Sequence, residues 1–343
     1  VDVVAENLSL SWTGGRGIVF AGARASGVVR SQLSDLGEGG ITLAGGDRAK
    51  LAAARLFAID NRIVRFARLG RTYKAAVHLE GVGNSAVGNY IAEAPHLAIE
   101  IHGNDHEVRL NEITAVVRET SDAGAVYTGR DVTARGTVIR HNFIHDIRAA
   151  PGFEVKGIYL DDFASGFAIR ENVFLRVDQP VFIGGGSDNQ VVRNVFVAAS
   201  PAIHIDARGL SWARPALRDP ASAMRRRFFA MPVGGALWRQ RYPALMRYQI
   251  SIPHGPSGIV VADNIVAGGD ALRLEPPADQ SAFAGTTTPK FVSIGNTQPY
   301  EASANSAAML LAELARRLRE SGARQTVKGL LRQPLDRRSI LKP

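Results

Sequence analysis

Short runs in which almost every second residue is Ile, Val or Leu recur along the chain. They are Gly17-Ile-Val-Phe20, Gly40-Ile-Thr-Leu43, Ala76-Val-His-Leu-Glu80, Ala98-Ile-Glu-Ile-His102, Ala125-Val-Tyr-Thr-Gly129, Gly157-Ile-Tyr-Leu-Asp161, Pro180-Val-Phe-Ile-Gly184, Ala202-Ile-His-Ile-Asp206 and Ala271-Leu-Arg-Leu-Glu275. Side chains alternate across a strand, so the second and fourth positions face an interior and the first, third and fifth face outward. A second pattern keeps step with the first. An Asn followed two residues later by a large apolar residue recurs at Asn61, Asn89, Asn111, Asn142, Asn172, Asn194 and Asn264, at intervals of 28, 22, 31, 30, 22 and 70 residues.

The shortest interval fits one coil of a solenoid; the longer ones carry loops and the longest a whole insertion. Each Asn follows an alternating strand such as Thr137-Val-Ile-Arg140. A turn there calls for a residue that tolerates the left-handed conformation and can bond its copy in the next coil. The fixed leucine spacing of leucine-rich repeats is missing. The pattern therefore predicts an all-β chain, a single-stranded right-handed parallel β-helix over residues 1–303.

Two segments break the repeat. Residues 210–256 read as a partly helical insertion, with Asp219 as N-cap and Pro220 at the first helical position. Residues 305–321 read as a helix stopped by Gly322, within a C-terminal segment 304–343 that ends in a basic tail. Such a helix would cover the open end of the stack, where strand edges are otherwise unpaired.

Charge changes the picture only by its distribution. The net charge of +9 invites a nucleic-acid partner. Residues 209–256 hold eight Arg against Asp219 alone, and residues 304–343 hold nine Lys or Arg against three acids. The remaining body is therefore slightly acidic, which excludes a continuous basic groove for a phosphate backbone. Cysteine is absent, so disulfides and thiolate metal sites are excluded. No apolar run approaches the roughly 18 residues of a membrane span. The chain starts at Val1, already in a strand-like pattern, as a mature or trimmed protein lacking its leader or first coils would. A periplasmic or secreted bacterial location is expected.

The candidate chemistry lies on the outward face. The third position of successive runs gives His78, Glu100, Tyr127, Tyr159, Phe182 and His204; the fifth gives Glu80, His102, Gly129, Asp161, Gly184 and Asp206. Rings stack on sugar faces while acids bind hydroxyls and move protons, so this face suits a carbohydrate. Parallel strands are about 4.8 Å apart, which places Asp161 and Asp206 roughly 9–10 Å apart at Cα, with Gly184 leaving room between them. That spacing fits an inverting pair, and Asp122 with Asp161 or Asp162 fits either glycosidase geometry. Arg130 and Asp131 sit just past a strand end, as does Arg208. Of the adjacent acids Asp161 and Asp162, only one is expected to face the groove. His96, His106, His141 and His145 fall in turns or in the other sheets and read as structural.

The runs Asp122-Ala-Gly-Ala-Val-Tyr-Thr-Gly-Arg-Asp131, Gly157-Ile-Tyr-Leu-Asp-Asp162 and Ala202-Ile-His-Ile-Asp-Ala-Arg-Gly209, with the Asn ladder, resemble glycoside hydrolase family 141 over residues 55–275. Known members of that family cleave fucosides or xylan through a pair of aspartates. The resemblance implies Asp122 and one of Asp161 or Asp162 as that pair. The departures are a short N-terminal part and the lack of a recognisable accessory domain.

The leading expectation is a glycoside hydrolase with catalytic residues among Asp122, Asp161, Asp162 and Asp206. Glu80, Glu100, His102, Tyr127, Arg130, Asp131, Tyr159, His204 and Arg208 would bind substrate. The crowded carboxylates are expected to raise the pKa of the acid. No cofactor is expected, because the outward His and acids alternate with glycines and do not converge at ligand spacing. The alternatives are a lyase or epimerase on uronic acids, with Lys74, Lys156, Arg130 or Arg208 neutralising the carboxylate and calcium bridging it, and a non-catalytic glycan-binding module.

Overall fold

The computed structural model describes residues 2–250, 255–275 and the strand Phe291–Ile294. The helix expected at 305–321 and the basic tail lie outside the described residues. The described chain winds into three parallel sheets of nine, ten and nine strands, here called A, B and C in their order along one coil. One coil runs through Ser85–Val87 in A, Tyr90–Ala92 in B and Ile99–Asn104 in C. Each strand pairs in parallel with its counterparts on neighbouring coils, as Ile99 does with Val77 and with Val126. This is the right-handed parallel β-helix that the alternation predicts. Among the described residues no helix is long and apolar enough to cross a membrane.

Strands of A and B are short, so mainly their middle residue faces inward. Val28, Ala86, Val108 and Ile139 of A, and Leu33, Ile63, Ile113 and Ile144 of B, are fully buried. Strands of C reach six residues and send two side chains inward, as Val77 and Leu79 do. Burial of each such side chain contributes about 1.5–3 kcal/mol. Inside the stack, Phe174 and Phe196 lie ring on ring at 5.0 Å.

The Asn residues form the expected ladder at the corner between A and B. Asn61 Nδ2 donates to Asn89 Oδ1 at 3.0 Å, and Asn111 repeats the bond to Asn142 at 2.9 Å. The left-handed conformation is not theirs, however. It belongs to the preceding residue: φ is 54° at Asp60, 58° at Leu110, 55° at His141 and 55° at Arg193. Two jobs are thus split between neighbours. The first residue turns the chain; the buried Asn accepts the backbone N–H of the coil before it, as from Asn61 N at 3.0 Å. Ser31 extends the same column one coil earlier, accepting from Leu8 N at 3.0 Å. A second column stands at the corner between C and A, where Leu56 N donates to Asn84 Oδ1 at 3.0 Å and Asn84 N to His106 Nδ1 at 3.1 Å.

The insertion is helical, as predicted, in the short helices Arg214–Arg218, Ala223–Phe229, Ala236–Arg241 and Arg247–Ile250. Its capping differs from the expectation. Asp219 ends the first helix, and the N-cap of the second is Ser222, whose side chain accepts from Arg225 N. Pro215, not Pro220, occupies a first-turn position. Leu217, Met224, Phe228, Trp238 and Leu245 form a small core that closes over Val132 and Phe163 of the β-helix. Trp238 Nε1 donates to Ala49 O at 3.1 Å, Arg241 pairs with Asp105 at 2.8 Å, and Arg247 pairs with Asp188. The insertion is bolted to the flank of the stack.

Candidate functional site

Sheet C carries the outward columns in the predicted register. His78, Glu100, Tyr127, Tyr159, Phe182 and His204 are successive partners across the strands. Asp206 stands beside Gly184, with Glu80 beside His102 farther along. The structure splits these residues into two groups, one around Arg208 and one around Glu100.

In the first group the aromatic column is not an open platform. Tyr127, Tyr159, Phe182 and His204 are 9%, 2%, 6% and 6% exposed. Tyr159 stacks on Phe182 at 5.0 Å and Phe182 on His204 at 4.3 Å, while Tyr127 meets Tyr159 edge-on at 5.6 Å. Lys156 is fully buried, its ammonium 4.7 Å from the Tyr159 ring centre and 5.3 Å from that of Phe182. These rings therefore serve each other, and sugar-face stacking by Tyr159 is ruled out. The exposed rings beside the group are ones the columns did not show. Tyr73 stands edge-on to Tyr127 at 6.1 Å, and Trp212 lies 5.3 Å from the Arg208 guanidinium. Both are more than half exposed.

Arg208 organises the carboxylates. It leaves the end of strand Ile203–Asp206 in a turn of 3-10 helix and lies back across the face. Nη1 donates to Asp161 Oδ1 at 2.7 Å and to Asp162 Oδ1 at 2.9 Å, and Nε donates to Asp206 Oδ2 at 2.9 Å. The room beside Gly184 is filled by this guanidinium: a Cβ at Gly184 would lie 2.5 Å from Arg208 Cζ. The inverting-pair reading of Asp161 with Asp206 fails on that ground, because the space for a water is occupied. Asp161 and Asp162 also converge, against the expectation that only one would face the groove. Positive φ at Asp162 (33°) and Phe163 (66°) turns the second acid back to the same side.

The remaining oxygens are taken by neighbours. Tyr127 Oη donates to Asp161 Oδ2 at 2.9 Å, and Arg130 Nε donates to Asp162 Oδ2 at 2.8 Å. Asp122 differs. It is exposed, and its Oδ1 accepts from Tyr159 Oη and from Lys156 Nζ, both at 3.1 Å. Partial burial alone would raise its pKa, but the Lys156 charge and the two hydrogen bonds outweigh that and hold it below the usual carboxylate range. The expected raised acid is therefore not Asp122. Burial and the Asp161 charge push the Tyr127 and Tyr159 hydroxyls far up, which keeps both as proton donors. Asp131 turns away to the flank, where it accepts from Arg48 at 2.9 Å and from Thr133. His204 Nε2 lies 3.3 Å from Glu275.

The second group joins Glu80, Glu100 and His102 with His78. Glu100 accepts from His78 Nδ1 on one oxygen and from His102 Nε2 on the other, each at 3.0 Å. Burial would raise the Glu100 pKa, but the two imidazoles outweigh it and hold it at about 2. The expectation that outward His and acids never converge is wrong at this point. A donor atom from each of His78, Glu100 and His102 lies within 4.8 Å of the others. Beside them opens a cleft of about 610 Å³ lined by Glu80, His102, Asp47, Arg24 and Arg48 among small residues. His106, His141 and His145 take the structural places expected of them, paired respectively with backbone, Glu171 and Asp146.

Comparison with protein-family models, curated proteins and solved structures returned no match for this chain.

Proposed function

We propose that the chain is a glycoside hydrolase whose site is centred on Asp122 and Asp161. One observation carries this reading. The two carboxylates hang from adjacent tyrosines, Asp122 from Tyr159 and Asp161 from Tyr127, whose ring centres are 5.6 Å apart. Asp122 is exposed and ionised, as a base or nucleophile must be. Asp161 belongs to a cluster in which Asp161, Asp162 and Asp206 face only two guanidinium groups, Arg208 and Arg130. We assign Asp161 the part of catalytic partner to Asp122. Tyr73 and Trp212 offer exposed rings on either side for sugar faces.

The family 141 resemblance points to Asp122 with one of Asp161 or Asp162, and a fucoside or xylan substrate in the periplasm or outside the cell is the corresponding proposal. The lyase reading is weaker, because Lys156 and Arg208, which a uronate would need free, are already paired with acids. Asp122→Asn tests the assignment at an exposed position, where Glu154 still pairs with the buried Lys156. It should lower kcat on an aryl-fucoside or xylo-oligosaccharide at least about a hundredfold, the low end for acid–base catalysis, in a chain that still melts cooperatively at a somewhat lower Tm. Wild-type turnover in this variant sinks the proposal, and an ultraviolet-absorbing unsaturated product would turn it to the lyase.

A further inference from the structure

We propose that His78, Glu100 and His102 form a binding site for a divalent transition-metal ion of the zinc class, at the mouth of the cleft lined by Glu80 and His102. The site lies coils away from Arg208 and does not rest on the hydrolase reading.

The donor set comes first. Two imidazole nitrogens and a carboxylate are a composition that zinc takes, with one position left open. The three side chains stand on strands Val77–Val82 and Ile99–Asn104, so a rigid sheet and not a loop sets their spacing. Zinc–ligand bonds of about 2.0–2.2 Å place tetrahedral neighbours about 3.3–3.5 Å apart. Glu100 already lies 3.0 Å from His78 Nδ1 and 3.0 Å from His102 Nε2. A donor atom from each residue lies within 4.8 Å of the other two, so side-chain adjustment admits an ion with no change of fold.

A second observation is independent of the spacing. His78 would bind through Nδ1, and its other nitrogen, Nε2, faces Glu80 Oε2 at 3.4 Å. A metal-bound histidine characteristically donates its remaining N–H to a carboxylate, which fixes the tautomer and the ring orientation. Glu80 is in that place. A plain hydrogen-bonded ladder has no need of a further acid on the far side of the ring. His102 is held too, because its backbone carbonyl faces His106 Nε2 at 3.0 Å.

The third point is access. His102 and Glu80 are the ends of this cluster that line the cleft, so the open coordination position borders solvent and the cleft. Arg24 on the same lining suits an anionic group there. A metal-bound water in that position would face whatever enters.

The test is isothermal titration of the whole chain with Zn²⁺, paired with the visible absorption of the Co²⁺ form. One equivalent should bind. His102→Ala, at a partly exposed position, and His78→Ala should each weaken binding at least about a hundredfold. Glu80→Gln should weaken it about 10–100-fold, the usual effect of losing such a backing carboxylate. Melting curves confirm that each variant is folded, and Asp122→Asn should bind as the wild type does, which separates this proposal from the preceding one. No saturable binding by the wild type overturns the site. So does equal binding by the His78→Ala/His102→Ala double variant. Binding unaffected by Glu80→Gln overturns the backing role.

Discussion

Arg208 and Asp161, 47 positions apart in the chain, are joined by a 2.7 Å hydrogen bond between two side chains that are 5% and 9% exposed. The same guanidinium reaches Asp162 and Asp206. Removing one partner from a buried ion pair strands the other charge and costs about 3–5 kcal/mol. Arg208→Ala strands Asp161 and Asp206, while Asp162 keeps Arg130, so its loss of stability in urea unfolding should be at least that large. Arg208→Lys should recover little, because a single ammonium cannot span acids on two sides of a planar fork. A midpoint within error of wild type for Arg208→Ala would show that the clamp holds nothing together.

Asp161→Asn should now behave differently from the exposed Asp122 variant. Asp161 accepts from both Arg208 and Tyr127. An amide keeps one acceptor and presents an N–H₂ where a donor already points, at a cost of about 1–3 kcal/mol. Turnover should fall at least about a hundredfold, together with a larger fall in Tm. Full activity in a folded Asp161→Asn variant would remove this carboxyl from the chemistry.

The sequence made the stack legible because its period is local. Alternation within Ala98–His102 alone decides which side chains face inward, and the Asn interval fixes which strands pair. What stayed hidden depends on side chains reaching sideways. Nothing in Asp206-Ala-Arg208 says that the arginine folds back over Gly184, and the burial of Tyr159 follows from Lys156 and Phe182 arriving on neighbouring coils. The convergence of His78, Glu100 and His102 was open to discovery from the columns, since two adjacent coils alternate His and Glu in register. The left-handed residue at each corner was misplaced by one. Leu110 and Arg193 carry no turn preference, and only the buried Asn beside them left a signal.

His106 predicts a pH dependence. Burial drops its pKa from 6.5 to about 4, because the charged imidazolium is the form that loses its hydration in the fully buried corner. The folded state therefore refuses a proton that the unfolded chain binds. Stability from this group is complete above about pH 6.5 and is lost as the pH falls toward 4, in all by roughly 3 kcal/mol. Asn84 shows what can replace it, since its amide fills the same ladder place and also reaches the carbonyl four residues back, Glu80 O, at 2.8 Å. His106→Asn should thus flatten the stability profile between pH 6.5 and 4 relative to wild type. Parallel profiles would mean that His106 is not the group that titrates.

The insertion gives the last prediction, because it holds two roles apart. Its Arg241 and Arg247 are spent on Asp105 and Asp188, Arg227 donates to the Arg130 carbonyl, and Phe228, Trp238, Tyr242 and Tyr248 are buried, so these residues brace the flank. Trp212, ahead of the first helix, stands exposed over Arg208. Exchanging residues 214–250 for a short Gly/Ser linker uncovers Val132 and Phe163, removes the Arg241 partner of Asp105 and leaves Asp188 with Arg135 alone. Tm should fall by roughly 5–10 °C, while KM on a short oligosaccharide stays near its wild-type value. Trp212→Ala should do the reverse, raising KM about 3–10-fold, on the scale of one ring contact, with little change in Tm. A collapse of substrate affinity in the linker variant alone would make the whole segment a wall of the site, with Arg227, which reaches Arg130, at its edge.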